Sequence, residues 1–313
     1  MGSPDFAAFS LQTLVEHGYN ISAAVTAPDK PAGRGMALQQ TAVKKLALAN
    51  DVPVLQPDKL KSPEFIEMLI NICPDLIVVV AFRMLPEVVF TIPKKGTINL
   101  HASLLPQYRG AAPINHAIIN GENITGLTTF FIEKQIDTGK IIYQESVDIS
   151  DQDNAGTLHD KLMVTGAYLL VKTINAIMNN DFPVISQSEL IKGDLSLKTA
   201  PKIHKDFCRI NWSENVSAVY DFIRGLSPYP GAFTELMDNN GKTVLLKVFE
   251  TDKLYEEHTS EPGIIYSDSK TFLKIAVSDG YILIWSLQAA GKKRMEAEEF
   301  LKGFRINEWK III

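Results

Sequence analysis

The feature that most constrains the fold is an alternation of two hydrophobic periods through the first two hundred residues. Phe6, Phe9, Leu11, Leu14 and Val15 recur at helical spacing, and the pattern ends near Gly18. Residues 21–27 read as a strand, 41–49 as a helix and 52–55 as a short strand. Ser62 before Pro63 then opens a third helix that runs to Ile72, with Glu64 and Glu67 near its positive end. Residues 76–81 are apolar without alternation, as a strand buried on both faces must be. Further strands are expected at 96–101, 127–132 and 141–147, a short helix at 113–119 and a long one at 155–178. Strands separated by helices in this order predict βαβ units around a mainly parallel sheet, with the closing strands antiparallel and a ligand crevice at the carboxyl ends of the strands.

The opening departs from this scheme. A doubly wound unit begins with a strand that leads into its first turn, whereas Met1-Gly2-Ser3-Pro4 already has the look of that turn. The expectation is therefore a scaffold short of its first strand, with an edge-exposure cost of several kcal/mol against a normal stability of about 5–15 kcal/mol.

After residue 181 the rhythm changes. Residues 182–207 are polar and weakly periodic, 216–225 read as a helix, and short strands follow at 232–237, 244–249, 263–266, 273–277 and 281–286. Turn residues lie between them at Asp238-Asn239-Asn240-Gly241 and Ser278-Asp279-Gly280. The expected organisation is a catalytic unit over 1–181, a linker over 182–207 and, over 208–313, a small all-β barrel like an OB-fold. Such a barrel is a common oligonucleotide platform and equally suits plain oligomerisation.

Composition excludes several classes. With 46% hydrophobic and 21% charged residues the chain is not disordered, collagenous or a disulfide scaffold. A net charge of −5 supplies no general field for nucleic acid, so an RNA partner requires local basic patches. Cys73 and Cys208 are far apart and lack the spacing of a zinc site, which predicts a reducing, cytoplasmic setting and no metal. The longest apolar run, 76–82, is far short of the ~20 residues of a membrane span, and no signal-peptide pattern opens the chain.

The run 98–106, INLHASLLP, carries most of the chemistry. Alternation on a strand sends Asn99 and His101 to one face and Ile98 and Leu100 to the other. Downstream, Ile136-Asp137-Thr138-Gly139 sets a carboxylate in a tight turn between two strands. An amide donor, an imidazole and a carboxylate to orient it suffice for acyl transfer without a covalent intermediate. The same residues also suit a structural histidine and an Asx-type turn, and spacing alone leaves both readings open.

The run INLHASLLPQYRGAAPI with the IDTG segment closely resembles the folate-dependent formyltransferases, as do GSPDFA at the start, PDKPAGRG at 28–35 and SLQAAGKKRM near the end. The resemblance covers essentially the whole chain. It implies a Rossmann-like formyltransferase domain followed by the barrel, and an active site of Asn99, His101 and Asp137. It further implies that Ser103, Leu104, Leu105 and Pro106 hold a tetrahydrofolate cosubstrate. The implied reaction moves the formyl group of 10-formyltetrahydrofolate to the α-amine of methionine esterified to initiator tRNA. Lys30 and Arg34, in a loop whose neighbourhood is locally basic, would reach the tRNA, and Lys292 and Lys293 after a barrel strand would follow its backbone. Two alternatives stand beside this reading: a formyltransferase for a small amine such as glycinamide ribonucleotide or an amino sugar, and a noncatalytic tRNA-binding protein.

Overall fold

The computed structural model describes residues 1–32, 37–191 and 196–312. The chain forms two compact units. One gathers Met1–Gly110, Ile124–Asp148 and His159–Thr199, and the other Ala111–Asn123, Ile149–Leu158 and Ala200–Ile313.

In chain order the first elements are α1 (Asp5–Glu16), β1 (Ala24–Val25), the hairpin β2 (Lys30–Ala32) and β3 (Ala37–Gln39), α2 (Ala42–Ala49), β4 (Val54–Leu55), α3 (Pro63–Ile72), β5 (Ile77–Val80) and α4 (Glu87–Phe90). They are followed by β6 (Thr97–His101), β7 (Arg109–Gly110), α5 (Pro113–Ile119), β8 (Ile124–Phe131), β9 (Ile141–Asp148), α6 (Ala155–Met178), α7 (Gln187–Leu190) and β10 (Thr199–Ala200). The hairpin, α4 and α7 are too short to leave a hydrophobic period in the sequence. The caps are legible: the Ser62 hydroxyl accepts from Phe65 N–H at 3.3 Å, and Thr41 accepts from Lys44 N–H at 3.1 Å.

The first unit is an α/β structure. Its four-stranded sheet runs β5-β6-β8-β9, with β5 and β6 parallel and both later pairings antiparallel. Beside it β1 and β4 pair in parallel. The place of the expected first strand is bridged by the opening residues themselves. Met1 donates its amino group to Val78 O at 2.6 Å and accepts from Val80 N–H at 2.9 Å, while Gly2 N–H donates to Val25 O at 3.0 Å. A Cβ at Gly2 would lie 2.3 Å from that of Ala7, so this close approach requires glycine. Behind the bridge lies a cavity of ≈ 290 Å³ lined by Leu14, Leu69, Ile77 and Ile174 among others. Phe65, Leu69, Ile77, Val79, Leu85 and Val89 pack one apolar core of this unit. By length and apolarity α6 is a helix that would suffice to cross a membrane, yet Leu162, Leu169, Leu170, Ile174 and Ile177 are buried within the protein.

In the second unit α8 (Val216–Gly225) precedes β11 (Ala232–Asp238), β12 (Thr243–Leu254), β13 (Ile265–Ser267), β14 (Leu273–Val277), β15 (Gly280–Ala289), β16 (Met295–Glu296), α9 (Ala297–Gly303) and β17 (Trp309–Ile311). These strands form one antiparallel, nearly closed barrel-shaped sheet in the order β13-β14-β15-β12-β11-β17, with β16 on β15. Strands β12 and β15 are longer than their sequence signals because register shifts between Val248 and Thr251 let them continue past a bulge. Trp212, Val216, Ile223, Leu246, Ile282 and Leu287 lie at the core.

Candidate active site

Strand β6 lies between β5 and β8, with Asn99 opposite Phe130 and His101 opposite Thr128. Its carboxyl end therefore delivers two polar side chains from the middle of the sheet. His101 is 7% exposed. Its Nε2 lies 2.9 Å from the carbonyl of Tyr108. A carbonyl only accepts, so Nε2 carries the hydrogen and the neutral ring keeps its lone pair on Nδ1. That nitrogen faces Asp137 Oδ2 at 3.8 Å. The gap exceeds a hydrogen bond, and at that distance the carboxylate would attract a positive charge formed on the ring. A proton arriving on Nδ1 is thus received beside a carboxylate. The Asn99 amide has no hydrogen-bond partner among the described residues and is only part-buried.

Asp137 sits in the turn between β8 and β9 at φ 54°, in the left-handed region. Gly110 N–H donates to its Oδ2 at 3.0 Å. Two residues on, Gly139 passes so close beneath β8 that a Cβ there would lie 1.7 Å from Phe131 O. Thr138 Oγ1 closes the turn on Gln135 O at 3.1 Å.

The segment Ser103 to Pro106 is fixed from inside. Ser103 is buried and its hydroxyl donates to Gln107 O at 2.6 Å. Thr128 on β8, itself fully buried, donates to Ser103 O at 2.7 Å and accepts from Leu105 N–H at 3.1 Å. Gln144 on β9 donates to Leu105 O at 2.8 Å and to Thr128 Oγ1 at 3.0 Å. Leu105 packs with Phe130 and Ile141, and Leu104 is left half-buried. The loop thus offers a rigid surface at the end of β6, its polar groups at Ser103 and Leu105 already engaged.

Sequence reasoning singled out Asn99, His101 and Asp137, and these come together at the carboxyl end of the interior strand β6. It assigned no role to Tyr108, Arg109, Thr128, Gln144 or Gln187. The first two stand in the recognised run, but the others come from strands and from a segment expected as linker, and nothing local marks them. Lys30 is exposed on β2, and the Asp29 beside it is held by Lys44 at 2.6 Å and Gln56 at 2.8 Å, which keep its carboxyl below the usual range, the Lys44 bond foremost. Arg34 lies outside the described residues. In the other unit Lys292 and Lys293 are exposed in the turn after β15, and neither is paired with a carboxylate among the described residues.

Residues 2–174 match the family model described as formyl transferase, and 202–305 match the formyl transferase C-terminal domain. Methionyl-tRNA formyltransferase of Bacteroides thetaiotaomicron is 52% identical over 98% of this chain and 95% of its own, and that of Flavobacterium johnsoniae is 45% identical over 98% and 96%. In fold the chain is similar to WlaRD, a sugar 3N-formyl transferase, with a TM-score of 0.64 at 20% identity over 93% of this chain and 97% of that one. HypX from Aquifex aeolicus, solved in complex with tetrahydrofolic acid, gives a TM-score of 0.57 at 19% identity over 86% and 48%. With both family models matched and close relatives covering nearly its full length, the chain belongs to the formyl transferase family.

Proposed function

We propose that this chain transfers the formyl group of 10-formyltetrahydrofolate to the α-amine of methionine esterified to initiator tRNA, in the cytoplasm where translation begins. The observation that carries the chemistry is His101 Nδ1 facing Asp137 at 3.8 Å, with the Asn99 amide presented from the same strand. The substrate is supported by relatives named for this activity at 52% and 45% identity.

The residues present suit a formyl donor. An amide with no partner among the described residues, beside a buried imidazole, is a donor set for an added carbonyl oxygen. Ser103, Leu104, Leu105 and Pro106 would hold the folate, which when bound supplies the activated formyl carbon. Asn99 gives its N–H to the oxygen on which charge develops. His101 accepts at Nδ1 the proton that the attacking amine loses, Asp137 stabilises the resulting imidazolium, and that proton is returned to the folate nitrogen as its bond to the formyl carbon breaks and tetrahydrofolate departs. A free α-amine titrates near 7.7–8, so only this last proton needs help at neutral pH.

The domain reading accompanies this proposal: 1–181 for catalysis, 182–207 as connection and 208–313 for tRNA. Lys30 and Arg34 would contact the RNA near the reacting end, and Lys292 and Lys293 its backbone. The test incubates charged initiator tRNA and 10-formyltetrahydrofolate with the folded chain, with glycinamide ribonucleotide and an amino sugar as competing amines. Formyl-methionyl-tRNA is the expected product. Formylation of a small amine instead, or tRNA binding without turnover, overturns the proposal.

A further inference from the structure

Gln187 is 3% exposed and belongs to no recognised motif, yet both ends of its amide are fully used. Its Nε2 donates to Asp137 O at 2.9 Å and to Gly139 O at 2.8 Å. Its Oε1 accepts from Arg109 Nε at 3.0 Å and from Arg109 Nη2 at 2.5 Å. Arg109 is in turn followed by Gly110, whose N–H donates to the Asp137 carboxylate. The four residues close a ring in which the backbone carbonyl of Asp137 is held by Gln187 and its carboxylate by Gly110.

We propose that Gln187, oriented by Arg109, is a positioning residue that fixes the Asp137 turn and so aims the carboxylate at His101 Nδ1. This deepens the reading of Asp137 as the partner of a proton-accepting His101 and rests on it. The turn needs such a clamp. Residues 133–136 are exposed, and Asp137 itself holds a left-handed conformation that a residue with a Cβ adopts only when its surroundings impose it. Gln187 supplies the imposition by donating to two carbonyls on either side of Thr138. The clamp has one polarity: the carbonyls can only accept, so the residue that holds them must donate, and Arg109, which only donates, sets which end of the amide faces the turn.

Gln187→Glu keeps the shape and strengthens the Arg109 contact but aims a carboxylate oxygen at two carbonyls. Gln187→Met removes both contacts. In the full chain both variants should lower kcat by about 10–100-fold, the scale expected when a catalytic group is misplaced by about an ångström. The KM values for formyl donor and charged tRNA should stay within about threefold, because Gln187 is only 3% exposed and its amide is already committed to Asp137, Gly139 and Arg109. Combining Gln187→Glu with Asp137→Asn should cost no more than Asp137→Asn alone, as residues acting through one group are not additive. The Gly110 amide proton, read by NMR on the protein without substrate, should move upfield in both variants as its bond to the carboxylate loosens.

An unchanged kcat with only a lowered melting temperature makes Gln187 structural and overturns the proposal, as does an unmoved Gly110 amide. If neither variant folds, Arg109→Met carries the test, with the same pattern at about 3–10-fold in kcat. A wild-type chain that forms no formyl-methionine would overturn the proposed function, while the Gly110 resonance would still decide whether Gln187 sets the Asp137 carboxylate.

Discussion

The ring of His101 is held through Nε2 by the carbonyl of Tyr108 at 2.9 Å, which leaves Nδ1 as the only nitrogen that can take a proton beside Asp137. Asp137→Asn preserves the size of that partner and the Gly110 contact but removes its charge. It should lower kcat by about 10²–10⁴-fold, the usual range for assisted proton transfer, with folate binding retained. Single-turnover formylation separates this loss from any change in substrate binding.

Asn99→Ala should lower kcat by about 10²–10³-fold, as removal of one oxyanion donor does. Because the amide has no protein partner among the described residues, the change in unfolding free energy should remain below about 1 kcal/mol. Denaturant titration beside the rate measurement checks both halves. A loss of stability that matched the loss of rate would show that Asn99 serves the fold.

Thr128→Val is close to isosteric yet deletes a hydroxyl that serves Ser103 O, Leu105 N–H and Gln144. Leaving such buried groups unpaired should cost about 2–3 kcal/mol of stability. Loosening the Ser103 to Pro106 segment should also raise KM for the formyl donor by about tenfold, equivalent to ~1.4 kcal/mol. Steady-state kinetics with varied donor reads this directly, and the KM for tRNA serves as control.

Lys292→Ala combined with Lys293→Ala should weaken tRNA binding without changing kcat at saturation. If each lysine meets one phosphate, the slope of log affinity against log salt should become shallower by about 2 in the double variant. Binding measured across a salt series distinguishes this from a general loss of fold.

His116 on α5 is buried and 3.0 Å from Pro201 O, and desolvation holds its pKa below the ordinary 6.5 despite that hydrogen bond. The folded state then binds fewer protons than the unfolded state below that value, so stability rises with pH through this window and falls as the pH drops. His116→Gln keeps a donor for Pro201 and cannot titrate. Between about pH 7.5 and about pH 5.5 the wild type should lose more unfolding free energy than this variant.

The helices at 113–119 and 155–178 and the strand at 273–277 carry boundaries legible in the sequence, because each expresses a period that the backbone imposes locally. Ser62 with Pro63 and Thr41 with Lys44 mark helix starts for the same reason. The hairpin at Lys30 and Ala37, α4 and α7 were not legible, since two to four residues define no period. The sequence likewise gives no sign that the backbone of Met1 and Gly2 would join β1 to β5, a pairing between segments about 80 residues apart in the chain.

By itself the sequence determined the α/β order and the barrel that follows it, and offered three chemical groups whose types suit acyl transfer, with formyl transfer implied by the family resemblance. Only the tertiary structure decided which nitrogen of His101 is engaged, that Asp137 stands opposite the other, and that Gln187 clamps the turn from 50 residues away. The division has a physical cause. Hydrophobic periods and caps are set by neighbours along the chain, whereas a hydrogen bond to a carbonyl can be met by any donor that packing brings within reach, and packing is a property of the whole unit.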